Sequence, residues 1–337
     1  MNRSLVALLV IMAVVVFPHP PRCASAMAYT PVFDGTEAYD HLLAQCAIGP
    51  RPPGSTNLSV CRDYIKNSLL QEGWSVSLQN FTYLGVNCSN VIARWSDDTV
   101  PNYILGAHYD TRPHADSDPG AQNRTKPVLG ANDGASGTAV LLELASSLPE
   151  LVRPAVEFVF FDAEDSGYIN GWSWIVGSTH YVSMLSPSRI ANTTAMLLVD
   201  MVGDASLRLL RETSSTRSLQ DAVWATARDL GYASVFIDSR GGGIHDDHRP
   251  FLDAGIPALD IIQHAPFPWY WHTLEDTPDK CSSQSLEAVG TVLESFLVDA
   301  HTSSPTFSGN PPDLFPVVLL VVPLLVLVVF FLRSRQK

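Results

Sequence analysis

The 337-residue chain is short of basic side chains. It has 21 lysine and arginine residues against 34 aspartate and glutamate residues, which gives a formal net charge of −13 at pH 7. No stretch interleaves basic with aromatic residues, as nucleic-acid-binding surfaces often do. An acidic chain of this kind is repelled by phosphate backbones. We therefore expect no nucleic acid among its partners.

Cysteine is also scarce, with five residues in the whole chain. Cys23 lies ahead of a predicted cleavage site, and the other four are Cys46, Cys61, Cys88 and Cys281. Their wide scatter does not match the paired spacing of a zinc ribbon. Four cysteines allow three pairings, among which the sequence does not choose. In an oxidising compartment we expect disulfides, and buried free thiols are the alternative.

The chain lacks internal repeats, and its one low-complexity tract is the Ser- and Pro-rich stretch at residues 302–313. This composition predicts a flexible stalk. Residues 314–332 contain no charge and would span roughly 28 Å as a helix, close to the thickness of a bilayer core. Basic residues at 333–337 predict a cytoplasmic tail and argue against a GPI signal. We therefore expect a transmembrane helix at 314–332.

A second apolar segment, residues 5–17, lies near the N-terminus. Arg3 precedes it and Ala24-Ser-Ala26 follows it, which is the pattern of a secretory signal peptide at residues 1–26. An uncleaved membrane anchor is the alternative. N-glycosylation sequons agree with export, and they begin at Asn57, Asn80, Asn87, Asn123 and Asn192. We expect a single-pass protein of the secretory pathway or cell surface, with its main domain lumenal or extracellular.

Residues 30–301 alternate short apolar runs with helical stretches. This pattern predicts one three-layer α/β domain, in which a mixed, mainly parallel sheet is flanked by helices. Four of the apolar runs lead into polar side chains, namely His108, the pair Glu164-Asp165, Asp200 and, after a loop, His272. Ligands of such sheets bind in the crevice beyond the carboxyl ends of the strands. These side chains should therefore share one crevice.

Asp133 joins this group from a polar, Gly-rich loop that opens a helix. Taken singly, an aspartate in this place is often a helix N-cap, and neighbouring acids such as Glu164 and Asp165 are often only solvated. Gathered in one crevice, the carboxylates would repel one another unless a cation lay between them. Oxygen and nitrogen ligands without thiolate fit the metal site of a zinc hydrolase or transferase.

Six short motifs occur in an order that resembles the zinc-dependent M28 peptidase clan, which contains aminopeptidases and glutaminyl cyclases. The motifs are HYD, NDGASG, FFDAED, LLVDMVGD, DDHRPFL and WHT. The resemblance extends from Gly49 to Leu297 and so covers nearly all of the predicted domain. It implies the same fold that the alternation of apolar runs and helices predicts.

The resemblance also implies a ligand set. Asp133, Asp165 and His272 would hold one zinc ion, and in the aminopeptidases of the clan His108 and Asp200 would hold a second metal together with Asp133. The chain departs from the usual pattern at Asp165, where the peptidases and many cyclases have glutamate. Because aspartate is one methylene shorter, either the backbone must come closer to the metal or the metal geometry must differ.

Several residues resemble the cyclases more than the aminopeptidases. The DDHRPFL motif begins at Asp246 and is similar to a cyclase segment whose first aspartate joins the hydrogen bonds of the active site. Trp271 directly precedes His272, where peptidases commonly place tyrosine. Phe267 and Trp172 lie in stretches that are similar to cyclase segments lining the substrate pocket.

The activity implied by this resemblance is the conversion of an N-terminal glutamine to pyroglutamate with release of ammonia, with one zinc ion per chain. Glu164 falls at the position of the general acid/base, and Asp200 and Asp246 would support it. The substrates would be peptide or protein N-termini, and we expect a monomer. Two alternatives stay open. One is a dinuclear zinc aminopeptidase that removes N-terminal residues, and the other is a non-enzymatic, membrane-tethered ectodomain with a degenerate site.

Overall fold

The structure is a computed structural model that describes residues 29–98 and 100–303. The predicted signal peptide at 1–26 and the predicted transmembrane segment at 314–332 lie outside these ranges, as do residues 304–313 of the predicted stalk. Within the two ranges, no helix is both long and apolar enough to cross a bilayer. The described residues from Pro31 onward belong to one compact unit.

The described residues contain eight β-strands. In chain order they are β1 Ser75–Tyr83, β2 Val86–Arg94, β3 Tyr103–His108, β4 Val156–Phe161, β5 Ala195–Asp200, β6 Leu209–Glu212, β7 Phe236–Gly242 and β8 Ala258–Ile262. Six of them form one sheet in the order β1-β2-β4-β3-β5-β8, and β6 pairs separately with β7. β3, β4, β5 and β8 are parallel, whereas β2 is antiparallel to both of its neighbours. The predicted mixed, mainly parallel sheet is confirmed.

Helices cover both faces of this sheet. In chain order the α-helices of the described residues are α1 Gly35–Ile48, α2 Thr56–Gln71, α3 Ala135–Ser147, α4 Val176–Ser183, α5 Pro187–Asn192, α6 Arg217–Asp229, α7 Arg249–Asp253 and α8 Ser283–Ser303. Because α8 continues to Ser303, the first two residues of the predicted stalk are helical. On one face, α2 and α3 contact the strands, and α1 and α8 pack against α3; on the other face, α4 and α7 contact the strands.

The central strands are apolar throughout because both of their faces are buried. Successive side chains of a strand point to opposite faces, so Leu105 of β3 packs in the cluster that contains α3, while Ile104 packs with Tyr181 and Phe251 on the other face. Every residue of β3, β4, β5 and β8 is buried. The three-layer architecture therefore follows directly from the continuous apolar runs, and it brings the carboxyl ends of four parallel strands to one edge.

The predicted disulfides are wrong for the four cysteines that the structure describes, all of which are free thiols. Cys61 and Cys88 are fully buried on α2 and β2, and Cys46 on α1 is partly buried. Burial raises the pKa of the Cys61 thiol to about 11 and that of Cys46 to about 12. The thiols therefore stay protonated and act as small apolar side chains that fill the core.

Candidate active site

Two groups of potential metal ligands meet at the carboxyl edge of the sheet, and they share Asp133. In the first group, His272 Nε2 lies 3.2 Å from Asp165 Oδ1 and 3.6 Å from Asp133 Oδ2. In the second group, His108 Nε2 lies 3.1 Å from Asp200 Oδ1 and 3.2 Å from Asp133 Oδ1. Within each group, one ligand atom of each residue lies within 4.8 Å of the others. The structure thus brings together the five residues for which the resemblance implied metal binding.

The positions of these ligands follow from the fold. His108 and Asp200 are the last residues of β3 and β5, and Asp165 follows the end of β4. Asp133 lies in the loop before α3, which packs closely on the sheet. Gly137 makes this approach possible, because a Cβ there would lie 2.0 Å from a carbonyl oxygen of β5. A larger residue at this glycine would push the Asp133 loop away from the strand ends.

The first group fits a zinc ion. Burial raises the pKa of Asp133 to about 6, with repulsion from Asp165 adding to the effect, and burial also raises the pKa of Asp165 to about 7. Asp165 Oδ2 is buried and accepts no hydrogen bond from the described residues. Burial lowers the pKa of His272 to about 3, so its imidazole is neutral, which is the form that binds metal. Carboxylate oxygen and neutral imidazole nitrogen are zinc ligands, and three protein ligands leave a fourth position open, as in catalytic zinc sites.

Arg112 and Asp116 connect two of these ligands from outside. The Arg112 guanidinium donates to Asp165 Oδ1 over 3.1 Å and makes a bidentate pair with Asp116, with distances of 2.7 and 2.6 Å. Asp116 Oδ1 in turn lies 3.6 Å from His272 Nδ1. The guanidinium carbon also lies 4.8 Å from the centre of the Trp174 ring. Partners of this kind fix the orientation and tautomer of metal ligands.

Asp110 holds the backbone of the adjacent acids. Its carboxylate is fully buried and accepts hydrogen bonds from the backbone N–H groups of Glu164, at 3.0 Å, and Asp165, at 3.1 Å. Its Oδ1 also lies 3.5 Å from His108 Nδ1. One carboxylate thereby ties the end of β3 to the loop after β4. The His-x-Asp spacing in the sequence indicated this residue but not its bracing role.

A cavity of about 460 Å³ opens above the ligands. Every predicted site residue except His108 and Trp172 lines it. The remaining lining residues were not among the predicted site residues, and they are Tyr168, Trp174, Met201, Ile244, His245 and Ile262. The cavity is thus acidic at its base and largely apolar on its walls.

The carboxylates of Glu164, Asp200 and Asp246 lie together in this cavity. Burial raises the pKa of Glu164 well above its usual range, and repulsion from Asp246 adds to the effect while His108 opposes it. Burial and repulsion from Asp200 likewise raise the pKa of Asp246 well above its usual range. Buried acids whose pKa is raised in a cleft are typical of catalytic proton transfer.

The two tryptophans of the loop after β4 occupy different places. Trp172 packs against Tyr83, with ring centres 5.2 Å apart, and lies outside the cavity lining. Trp174 lines the cavity and stacks almost parallel to His272, with ring centres 6.0 Å apart. The loop contains non-glycine residues with left-handed backbone conformations, among them Tyr168. Such turns reverse the direction of side chains, and periodicity does not predict them.

A row of stacked rings forms another wall. The rings of Phe267 and Trp271 are 4.2 Å apart and nearly parallel, and Trp271 stacks on the His272 ring at 3.6 Å. His272 has a φ of 58°, in the left-handed region that non-glycine residues seldom adopt. Strain of this kind is often found at functional sites. The stack fixes the imidazole plane and shields one side of the cavity from water.

Glu212 anchors a third part of the wall. It is buried at the end of β6, and it accepts a hydrogen bond of 3.1 Å from the backbone N–H of Ile244. Its Oε2 lies 3.5 Å from His248 Nε2, and His248 Nδ1 lies 3.4 Å from Asp260 Oδ2 on β8. Burial lowers the pKa of His248 to about 4. The neutral imidazole therefore bridges two strands and positions the segment that carries Asp246.

The geometry agrees with the comparison with known protein families. Residues 90–297 match the model of Peptidase family M28. The chain belongs to this family.

Similar proteins include both cyclases and an aminopeptidase. The chain is 25% identical over 327 residues to the glutaminyl-peptide cyclotransferase of Bos taurus, covering 83% of this chain and 87% of that protein. A glutaminyl cyclase structure from Bacteroides thetaiotaomicron has a TM-score of 0.74 and 33% identity, covering 80% of this chain and 99% of that chain. A leucine aminopeptidase precursor from the same species has a TM-score of 0.73 and 32% identity, with the same coverage.

Proposed function

We propose that this protein is a zinc-dependent glutaminyl-peptide cyclotransferase, which converts the N-terminal glutamine of peptides or proteins to pyroglutamate and releases ammonia. One observation carries the proposal. Asp246 joins Glu164 and Asp200 in a small cavity whose walls include the Phe267–Trp271 stack. Such a cavity suits one glutaminyl residue whose amine and side-chain amide must meet. The cyclases among the similar proteins support the same activity.

The ligands Asp133, Asp165 and His272 would hold the zinc ion. When bound there, zinc supplies Lewis-acid polarisation of the γ-amide carbonyl. Glu164 takes a proton from the substrate α-amine as that nitrogen forms a bond to the carbonyl carbon (Cδ) of the side-chain amide. The bond from this carbonyl carbon to the amide nitrogen then breaks, and Glu164 delivers the proton to the departing ammonia.

The other cavity residues hold the substrate for this step. Asp200 and Asp246 accept hydrogen bonds from the α-amine and so keep it beside Glu164. Ring closure is favoured because the nucleophile and the carbonyl belong to the same residue and are held at short range. Trp271 and Phe267 exclude water, which would otherwise attack the same amide carbonyl carbon.

A dinuclear aminopeptidase is the second candidate, and the group of His108, Asp133 and Asp200 favours it. We propose one zinc ion per chain for the cyclase, whereas the aminopeptidase requires two. Removing the metal with a chelator should stop ammonia release from a Gln-initiated peptide, and zinc should restore it. Full activity in metal-free protein would contradict the proposal, and metal-dependent release of free glutamine in place of ammonia would favour the aminopeptidase.

We also propose the placement of the domain in the cell. The sequence patterns support a signal peptide at 1–26, a catalytic domain at 30–301, a stalk at 302–313, a membrane helix at 314–332 and a cytoplasmic tail at 333–337. The catalytic domain would then face the lumen or the outside of the cell, where it meets secreted N-termini.

A further inference from the structure

Tyr168 stands at the mouth of the active-site cavity. It lines the cavity, and at 89% exposure it is the most exposed large side chain among the apolar and aromatic residues of the described ranges. Single exposed aromatic rings are common on protein surfaces, so exposure alone says little. The contacts that hold this ring in a fixed position are what suggest a role in binding.

The loop holds Tyr168 in a defined place. Its backbone has a φ of 63°, and its N–H donates to the carbonyl of Trp172 over 2.9 Å. The phenol ring stands perpendicular to Trp174, with ring centres 6.0 Å apart. Gly167 lets Trp174 pack on the backbone next to Tyr168, because a Cβ at Gly167 would lie 2.0 Å from the indole.

The same indole fixes the distance between this loop and the metal ligands. Trp174 stacks on the ring of His272 and lies beneath the guanidinium of Arg112. Tyr168 is therefore braced against the ligand shell, although its own faces are open to solvent. A ring that is rigid before binding loses little conformational entropy when a partner stacks on it.

We propose that Tyr168 binds the side chain of the second residue of the peptide substrate and makes the enzyme prefer an aromatic residue there. The inference rests on the proposed cyclase function. Cyclisation requires the α-amine and the γ-amide of the first residue to lie among Glu164, Asp200 and Asp246. The peptide must then continue from the α-carbonyl out through the mouth, where the side chain of the second residue passes Tyr168.

The rings of the opposite wall, Phe267 and Trp271, already pack against other side chains. Phe267 and Trp271 are partly buried against each other, and Trp271 covers His272. Their rings enclose the first residue, whereas the exposed faces of Tyr168 remain for the second. An aromatic pair of this kind strengthens binding roughly 2- to 12-fold beyond the burial of area.

The test compares two peptides that differ only at the second residue, Gln-Phe-Ala amide and Gln-Gly-Ala amide. For the wild-type protein we expect kcat/KM to be higher for the phenylalanyl peptide. Tyr168→Ala should reduce the ratio of the two kcat/KM values roughly 2- to 12-fold, through a higher KM for the phenylalanyl peptide. Tyr168→Phe should keep the ratio, because stacking does not need the hydroxyl.

Trp269→Ala is the matched control, since Trp269 is 72% exposed but lies outside the cavity lining. We expect it to keep the wild-type ratio. An unchanged ratio in Tyr168→Ala, or an equal fall in Trp269→Ala, would overturn the inference and leave the cyclase proposal intact. If the wild-type protein forms no pyroglutamate from either peptide, the proposed function fails and the inference fails with it.

Discussion

Arg112 Nη1 lies 3.1 Å from Asp165 Oδ1, so a buried cation holds one of the proposed zinc ligands. The same guanidinium grips Asp116, which faces the imidazole of His272. Asp165 is one methylene shorter than the glutamate that is usual at this position in the zinc peptidases that the sequence motifs resemble. Arg112 orients the shorter carboxylate, and Asp110 holds its backbone. The shorter side chain of Asp165 is thus held by two contacts, one from Arg112 to its carboxylate and one from Asp110 to its backbone N–H.

Arg112→Met should weaken zinc binding about 10- to 100-fold, because losses of outer partners of metal ligands have this size. The dissociation constant can be measured by competition with a chromogenic chelator. Arg211→Met is the matched control, since Arg211 also pairs with two aspartates and lies over a tryptophan, but neither aspartate is a proposed zinc ligand. Equal or tighter zinc binding in Arg112→Met would show that repulsion between the two cations outweighs the orienting effect.

Glu164→Gln should lower turnover about 10²- to 10⁴-fold, the usual size of a general acid/base contribution. Zinc content should stay close to that of the wild-type protein, because Glu164 is assigned to proton transfer. Asp165→Ala provides the contrast and should lose zinc. Turnover can be followed by ammonia release and zinc by atomic absorption. If the two variants show the opposite pattern, the roles of these adjacent acids are exchanged.

Glu143 on α3 should make stability depend on pH. Its side chain is buried, and burial raises its pKa to about 7, with Asp34 and Glu37 adding repulsion. An unfolded glutamate titrates near 4.3, so the folded state holds an extra proton between that pH and 7. Stability therefore falls as pH rises through this window, and above pH 7 the charged carboxylate remains a full cost.

Glu143→Gln should remove this cost. Its free energy of unfolding at pH 8 should exceed that of the wild-type protein by about 1–3 kcal/mol, while at pH 4 the two should be similar. Urea unfolding at both pH values measures the difference. Glu150→Gln, at an exposed position, is the control. A variant that is less stable than the wild-type protein at pH 8 would show that Glu143 is stabilised as an anion.

Deleting residues 314–337 should release an active protein that stays in the supernatant after membranes are pelleted. The uncharged segment, its basic flank and the preceding Ser- and Pro-rich stretch motivate this expectation. Fractionation with activity in both pools measures it. If the shortened chain still pellets with membranes, the anchor lies elsewhere, and residues 5–17 become the leading segment to test.

The sheet and the proposed metal ligands could be predicted because each strand is a continuous apolar run and each ligand follows such a run or opens a helix. His108, Asp200 and Asp165 illustrate this rule, since their positions depend only on where strands end. The approach of Asp133 was less visible, because it depends on the absence of a Cβ at Gly137. The local sequence pattern therefore predicted where the candidate site lies, but not how closely the Asp133 loop packs on the sheet.

The supporting contacts could not be predicted from the sequence. Arg112 and Asp116 pair with each other within one loop, and their further partners Asp165 and His272 come from other loops. Trp174, rather than Trp172, lines the cavity, in a loop that contains several left-handed residues. Contacts of this kind depend on tertiary structure, on which periodicity and composition carry no information.

The mass of the product from a Gln-initiated peptide distinguishes cyclisation of the first residue from its removal. Purified protein should be incubated with zinc and, in parallel, with a Gln-initiated and a Leu-initiated peptide, and the products analysed by mass spectrometry. We expect the first peptide to become lighter by one ammonia and to release no free amino acid, and the second to stay intact. Release of free N-terminal residues from both peptides, with no loss of ammonia, would contradict this expectation and identify an aminopeptidase.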